Sequence, residues 1–120
     1  MCSVTGADSG ENCVILGATG GIGSALSRQL SDRGANLMLA GRNEDKLRAL
    51  ADEVGEHTHI LDASSSKAVG ECVQSAADEF GTITGLANCV GSMLLKPAHK
   101  TTDEEWRRTL SLNLNTAFFA

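Results

Sequence analysis

Short apolar runs alternate along the chain with longer segments in which apolar residues recur at helical spacing. The apolar runs predict four strands, of which the third is the weakest. These runs are residues 13–16, 36–40, 59–61 and 85–89. The segments between them predict three helices, each closed by a glycine. The closing glycines are Gly34, Gly55 and Gly81. Regular alternation of strands and helices predicts right-handed crossovers and a parallel sheet.

A fourth helix is predicted near the end of the chain. Trp106, Leu110 and Leu114 lie on one helical stripe, and Thr102 or Asp103 is placed to cap the helix. Asn113 falls on the same stripe, so we expect a buried amide that needs hydrogen-bond partners. Those partners are equally consistent with a structural role and with a functional one.

A glycine-rich segment joins the first predicted strand to the first helix. It runs Gly17-Ala18-Thr19-Gly20-Gly21-Ile22-Gly23. Small residues allow a tight turn and let the backbone approach a pyrophosphate, which would meet free N–H groups at the positive end of the helix. The alternative is an ordinary strand–helix turn that happens to be rich in glycine. The strand–turn–helix context favours nucleotide binding.

The glycine turn and the alternation together predict an α/β fold. We expect a Rossmann-type doubly wound parallel sheet, partial, with about four strands in the order 3-2-1-4 and flanking helices. Residues 1–11 read as a flexible polar leader, and residues 12–120 as the N-terminal part of a dinucleotide-binding domain. The last helix reaches Phe118-Phe119-Ala120 without a closing glycine or basic residue, which predicts a C-terminal truncation.

Composition excludes several classes of function. A length of 120 residues fits one domain, and a net charge of -5 argues against nucleic acid or an anionic membrane as a partner. No apolar run reaches the roughly 20 residues of a membrane span. The four cysteines form no CxxC pair and have no histidine cluster beside them, so we predict no metal site and free thiols. The absence of a secretory pattern predicts a cytoplasmic protein.

Four separate motifs resemble those of the short-chain dehydrogenase/reductase family. The spacing G-x-x-x-G-x-G resembles its TGxxxGIG, with Leu16 in place of threonine. Asp62 ends the third strand. Asn88-Cys89-Val90-Gly91 resembles its NNAG, and Trp106 followed by Leu112-Asn113-Leu114 resembles its W…VNL. Together these matches extend from Cys13 over almost all of the remaining chain.

Arg42 bears on which nucleotide is bound. Many NAD-binding folds place an acidic residue roughly 20 positions after the glycine turn, but this chain has Ala40-Gly41-Arg42 there. A guanidinium suits a 2′-phosphate as a charge and as a bidentate donor. The alternative is a surface arginine paired with Glu44 or Asp45. We therefore predict NADP(H) as the preferred cofactor, with NAD(H) as the alternative.

The resemblance implies a role for each matching residue. The glycine turn would bind the cofactor, Asp62 and Ala63 would contact the adenine, and Asn88 would tie neighbouring strands together beside the cofactor. Asn113 would be catalytic, as the asparagine that holds a water in the family's proton relay. The complete set of predicted cofactor-binding residues is Gly17, Thr19, Gly20, Gly21, Ile22, Gly23, Arg42, Asp62, Ala63, Asn88, Val90 and Gly91.

The resemblance also implies an activity for the full-length parent. It would be an NAD(P)-dependent oxidoreductase that transfers hydride between the nicotinamide and a small carbonyl or alcohol substrate, and it would form a homo-oligomer. The sequence contains no tyrosine, so the family's YxxxK motif is absent and the activity of this chain alone is left open. Two alternatives stand beside this reading. One is a non-catalytic NAD(P)-binding or sensing module, and the other is a fragment of an extended sugar-nucleotide epimerase or dehydratase of the same family.

Overall fold

Strands and helices alternate throughout the computed structural model, which describes residues 10–54 and 56–120. The strands are β1 (Asn12–Leu16), β2 (Asn36–Gly41), β3 (His57–Ile60) and β4 (Gly85–Asn88). The helices are α1 (Gly21–Asp32), α2 (Glu44–Val54), α3 (Ser66–Phe80), α4 (Asp103–Leu110) and α5 (Thr116–Phe119). A 3₁₀ turn spans Ala98–Lys100, and a π turn, Ser111–Asn115, joins α4 to α5. Residues 1–9 of the predicted leader and Gly55 lie outside the described residues.

The four strands form one parallel sheet in the order β3-β2-β1-β4, which confirms the predicted order. β1 is a central strand: Leu16 at its carboxyl end pairs with Ala40 on one side and with Asn88 on the other. Because the strands are parallel, their carboxyl ends meet at one edge of the sheet. The connection that follows β1 therefore lies between the ends of β2 and β4.

The core has two layers, one on each face of the sheet. Alternate residues of β1 divide between them, with Ile15 in the layer under α1 and α2 and Leu16 in the layer under α3. The first layer contains Cys13, Ile15, Ala18, Leu30, Ala35, Leu37, Leu39, Leu47 and Leu50. The second contains Val14, Leu16, Met38, Ala40, Leu61, Ala63, Val69, Cys72 and Ala76. Helices on both faces explain why the strands read as continuous apolar runs.

α1 contacts the sheet through small residues. Its buried positions are Gly23, Ser27 and Leu30, and the Ser27 hydroxyl donates to the Gly23 carbonyl at 2.7 Å. Apolar residues recur at helical spacing from Ile22 through Ala25, which predicts that both lie on the inner face, but both are exposed, so this prediction is wrong. Small side chains on the inner face let the helix approach the sheet closely, and that approach fixes which face is buried.

The π turn changes the last helix from the predicted one. The expectation of a buried stripe is wrong at Trp106, Asn113 and Leu114, since all three are exposed, Trp106 by 60% and Leu114 by 61%. A π turn holds more residues per turn than an α-helix, so a stripe drawn at 3.6 residues per turn loses register after residue 110. Thr116 is the buried residue of this segment, and its hydroxyl donates to the Leu112 carbonyl at 2.8 Å.

The cysteines differ from one another. Cys72 and Cys89 are free thiols, as predicted, whereas the prediction is wrong for Cys13, which is disulfide-bonded. The spacing of the cysteines in the sequence did not indicate which of these three are free and which is disulfide-bonded. Cysteine usage therefore gives no support to the predicted cytoplasmic location. Within the described residues, no helix is both long enough and apolar enough to cross a bilayer.

The packing predicts a large stability difference between two leucines. Leu39 lies fully buried in the first layer, and Leu95 is 88% exposed in the segment after β4. Replacing Leu39 with alanine should lower the free energy of unfolding by about 2–5 kcal/mol, through lost burial and a cavity. The control Leu95→Ala should change it by less than about 0.5 kcal/mol. Urea denaturation followed by circular dichroism measures both, and equal losses would contradict the assignment of the core.

Candidate functional site

The glycine turn joins three strands at the carboxyl edge of the sheet. The backbone N–H groups of Gly17 and Ala18 both donate to the Ala40 carbonyl, at 2.9 and 3.1 Å, which ties the turn to β2. Gly17 has φ +73°, and a Cβ there would lie 2.9 Å from the Cys89 carbonyl carbon. Only glycine satisfies both the backbone angle and the close approach. The turn is thereby held between β2 and the segment after β4.

Gly23 sets the position of α1 on this turn. A Cβ built at Gly23 would lie 2.1 Å from the Gly17 carbonyl oxygen and 3.0 Å from the Ala18 Cα. Both neighbours are backbone atoms, so no side-chain rotation can relieve the overlap. Glycine at this position therefore allows the first turn of α1 to lie directly on the glycine turn, and the N-terminus of the helix faces the same edge of the sheet.

The N-terminus of α1 has no side-chain cap, unlike the starts of the other long helices. Asn43 accepts from the Lys46 N–H ahead of α2, Ser65 caps α3, and Thr102 forms a capping box with Glu105 at α4, as one of the two predicted caps. At α1 the N-cap residue is Gly20, with no side-chain hydrogen bond and no acidic residue in the first turn. The first N–H groups of this helix therefore remain available to an anion.

A cavity of about 380 Å³ opens beside this turn. Its wall combines the glycine turn, the end of β2 with the start of α2, the segment after β3, the segment after β4, and one side of α4. The lining residues are Gly17, Thr19, Gly20, Gly41, Arg42, Asn43, Lys46, Leu61, Asp62, Ala63, Cys89, Val90, Gly91, Ser92, Arg108 and Leu112. Ligands of doubly wound sheets bind at such a crevice, where the strand order reverses.

The structure brings most of the predicted residues to this cavity. Those that line it are Gly17, Thr19, Gly20, Arg42, Asp62, Ala63, Val90 and Gly91. Those that do not line it are Gly21, Ile22, Gly23, Asn88 and Asn113. Sequence reasoning did not single out two further basic residues, Lys46 and Arg108. For Lys46 the signal was its place four residues after Arg42, in the first turn of α2, whereas Arg108 carried no comparable signal.

The charged groups of the cavity favour an anion. Arg42, Lys46 and Arg108 line it, against one carboxylate, Asp62, although the whole chain carries a net charge of -5. Within the described residues, the Arg42 guanidinium has no ion pair or hydrogen bond. The predicted alternative, a pair with Glu44 or Asp45, is not formed. Arg42 thus lines the cavity with no hydrogen-bonded or ion-paired partner among the described residues.

Asp62 is held in place by the residue two positions later. Its Oδ1 accepts from the Ser64 N–H at 3.0 Å and from the Ser64 hydroxyl at 2.6 Å. These bonds hold the pKa of Asp62 below its usual range, and the charge of Arg42 acts in the same direction to a smaller extent. The carboxylate is therefore ionised at neutral pH. Its Oδ2 has no hydrogen-bond donor among the described residues, so it remains able to accept one from a ligand.

Two asparagines shape the segment after β4 from behind the cavity. Asn88 Oδ1 accepts from the Val90 N–H at 3.1 Å. Asn113 Oδ1 accepts from the Ser92 N–H at 3.0 Å, and its Nδ2 donates to the Thr109 carbonyl at 2.9 Å. These bonds connect β4 to the last helix. Neither side chain lines the cavity, but both hold the segment after β4, which does line it.

The contacts of Gly23 predict a specific loss of stability. Gly23→Ala should lower the free energy of unfolding by about 1–3 kcal/mol or more, because the new methyl group overlaps backbone. The matched control is Gly70→Ala, in the exposed middle of α3, where a Cβ would meet nothing within 4 Å. That change should stabilise the chain by about 0.5–1 kcal/mol. Thermal unfolding compares the two, and an unchanged melting temperature in Gly23→Ala would contradict the described contact of α1 with the turn.

Comparison with known proteins agrees with this arrangement. The family model described as short chain dehydrogenase matches residues 11–120. The chain is 32% identical over 103 residues to the NADP-dependent 3-hydroxy acid dehydrogenase of Shigella flexneri, with 83% of this chain and 42% of that protein covered. It is 32% identical over 114 residues to the NADP-dependent (R)-specific alcohol dehydrogenase of Lentilactobacillus kefiri, with 92% and 45% covered. The chain thus spans less than half the length of these relatives.

A solved structure gives the same result at the level of the fold. A short-chain dehydrogenase/reductase of Brucella melitensis, described as a glucose/ribitol dehydrogenase, superposes with a TM-score of 0.90 and 33% identity. The match covers 96% of this chain and 50% of that one. With a family match over residues 11–120, the predicted strand order and the glycine turn in its expected place, the chain belongs to the short-chain dehydrogenase/reductase family.

Proposed function

We propose that this chain binds a nicotinamide dinucleotide in the cavity at the carboxyl edge of the sheet, and that it prefers NADP(H) to NAD(H). One observation carries the proposal: the uncapped glycine turn and the unpaired Arg42 guanidinium belong to the same cavity. Phosphate recognition needs both features, since the turn offers backbone N–H groups and the guanidinium offers a bidentate cation.

The residues present fit such a cofactor. Close backbone approach at Gly17 leaves no side chain over the turn, and the first turn of α1 supplies N–H groups for the pyrophosphate. Arg42 and Lys46 would hold the 2′-phosphate, because both are basic and both line the cavity where β2 leads into α2. The adenine would lie beside Asp62 and Ala63. Val90 and Gly91 would border the cofactor from the β4 side, as the resemblance implies for them.

The preference for NADP(H) has independent support. No acidic residue lines the cavity where β2 ends, since Gly41, Arg42 and Asn43 are found there. An acidic residue at this point would bind the ribose 2′-hydroxyl of NAD(H) and repel a 2′-phosphate. Two relatives whose sequences match this chain carry NADP dependence in their names. We propose the same preference here.

The reaction proposed for the whole protein is hydride transfer between the cofactor and a small carbonyl or alcohol substrate. The bound nicotinamide would supply the hydride chemistry. Among the described residues, Asn113 would contribute to catalysis as the resemblance implies, while its amide fixes Ser92 and Thr109 as described. The homo-oligomeric state and the cytoplasmic location stay predictions.

Arg42 gives the direct test of cofactor preference. Arg42→Asp should lower the preference for NADPH over NADH by about 10- to 100-fold, because a charge-assisted bond to the 2′-phosphate is lost and a repulsive charge replaces it. Fluorescence titration of the chain with each reduced cofactor measures the two dissociation constants.

The matched control is Arg33→Asp. Arg33 is also exposed and has no ion pair within residues 10–54 and 56–120, but it lies at the end of α1 and does not line the cavity. The Arg33→Asp substitution makes the same change in net charge and should leave the ratio of the NADPH and NADH dissociation constants unaltered. Equal ratios in the unsubstituted chain and in Arg42→Asp, or an equal fall in both variants, would show that Arg42 does not select the cofactor.

A further inference from the structure

The cavity has a basic residue on the wall opposite Arg42. Arg108 lies on α4, one turn before Leu112, and both residues line the cavity. Arg42 reaches the cavity from the end of β2, while α4 follows β4, and β1 lies between these two strands. The two guanidiniums therefore belong to opposite sides of the crevice. A ligand that fills this cavity would therefore meet both residues.

We propose that Arg108 is an affinity-determining residue that packs its guanidinium against the adenine ring of the dinucleotide. The proposal rests on the proposed function and adds to it a contact from α4. Arg42 and Lys46 would meet the 2′-phosphate, and Arg108 would meet the neutral ring. Arg108 would therefore raise affinity for NADPH and NADH alike, without choosing between them.

The pairing of the arginines singles out Arg108. Arg28 and Arg48 each bind a glutamate on the outer surface of the first helical layer. The arginines without an ion pair or hydrogen bond within residues 10–54 and 56–120 are Arg33, Arg42, Arg107 and Arg108. Of these four, only Arg42 and Arg108 line the cavity. An unpaired surface arginine is common, but two of them on opposite walls of one cavity indicate a shared ligand.

Two ties hold the part of α4 that carries Arg108. On one side, Lys96 Nζ binds both carboxylate oxygens of Glu105, at 2.8 and 2.9 Å. On the other, the Asn113 amide binds the Ser92 N–H. Both bonds join the helix to the segment after β4, which itself lines the cavity. Arg108 lies between these two ties in the sequence, so both restrain the turn of α4 that carries it.

The surroundings of Arg108 favour a ring over a phosphate as its ligand. Its neighbour along the helix is Leu112, and the segment after β3 adds Leu61 and Ala63 to the same cavity. These apolar side chains suit an aromatic ring. A guanidinium is planar and weakly hydrated, so it stacks on aromatic faces more readily than an ammonium does. The N–H groups suited to phosphate lie elsewhere, at the start of α1.

The neighbouring arginine provides a matched control. Arg107 is exposed and unpaired like Arg108 and lies on the same helix, but it does not line the cavity. Replacing either residue removes one positive charge from the same turn of α4. Any general effect of charge or of helix stability should therefore appear in both variants. An effect on ligand binding should appear only in the Arg108 variant.

The test is titration of the chain with NADPH and with NADH in four forms: unsubstituted, Arg108→Ala, Arg107→Ala and Arg108→Lys. Arg108→Ala should weaken both cofactors by the same factor, about 3- to 30-fold, as expected for a lost guanidinium–ring contact. Arg107→Ala should leave both dissociation constants unchanged. Arg108→Lys should behave like Arg108→Ala, because lysine keeps the positive charge but has no planar guanidinium to pack against the ring. Circular dichroism spectra of the four forms should coincide.

Three outcomes would overturn the assignment. Equal affinities in Arg108→Ala and Arg107→Ala would show that Arg108 does not contact the cofactor. A loss confined to NADPH would place Arg108 on the 2′-phosphate with Arg42. Full affinity in Arg108→Lys would show that residue 108 acts through its positive charge on a phosphate, and not through packing of a planar guanidinium against the adenine ring. A failure of the unsubstituted chain to bind either cofactor would instead overturn the proposed function, and this assignment with it.

Discussion

The contact between Gly23 and the Gly17 carbonyl is the constraint on which the rest of the site depends. Because glycine has no Cβ, α1 can lie directly on the turn that leaves β1, where no other residue would fit. The uncapped N-terminus of α1 then faces the carboxyl edge of the sheet. Gly17 in turn lies against the Cys89 backbone. Two glycines therefore bring a helix end, the end of β2 and the segment after β4 to one place. The cavity is the space that these elements leave.

Much of this arrangement could be predicted from the sequence. The strand order depended on apolar runs and on a glycine turn after the first run, and both are local signals. Burial was harder to predict. The inner face of α1 is formed by Gly23 and Ser27, which no hydrophobic pattern identifies, and the π turn moved Asn113 out of the buried stripe. In α1 a close approach of backbone to backbone decided which face is buried, and in the last helix the change in residues per turn altered the register.

The walls of the site show the same division between local and distant signals. Arg42 was predictable because it follows the glycine turn at a known interval and ends an adjacent strand. Arg108 was not predictable, since it reaches the cavity through a loop of irregular structure and a helix that two polar ties hold in place. Only the folded chain places it opposite Arg42. In an acidic chain, three basic residues and a single carboxylate line one crevice, which gives the site a charge opposite to that of the chain as a whole.

The central claim is that the phosphates of a dinucleotide bind to the backbone N–H groups of the glycine turn and the start of α1. Two-dimensional ¹H–¹⁵N NMR during a titration with NADPH tests it directly, since each amide reports its own environment. The account predicts the largest shifts in Thr19, Gly20, Gly21, Ile22 and Gly23, with further shifts in Arg42, Asp62 and Gly91. Amides at the C-terminal end of α3, which leads back to the opposite edge of the sheet, should stay unchanged. Saturable binding that leaves the amides of the glycine turn unshifted would contradict the claim.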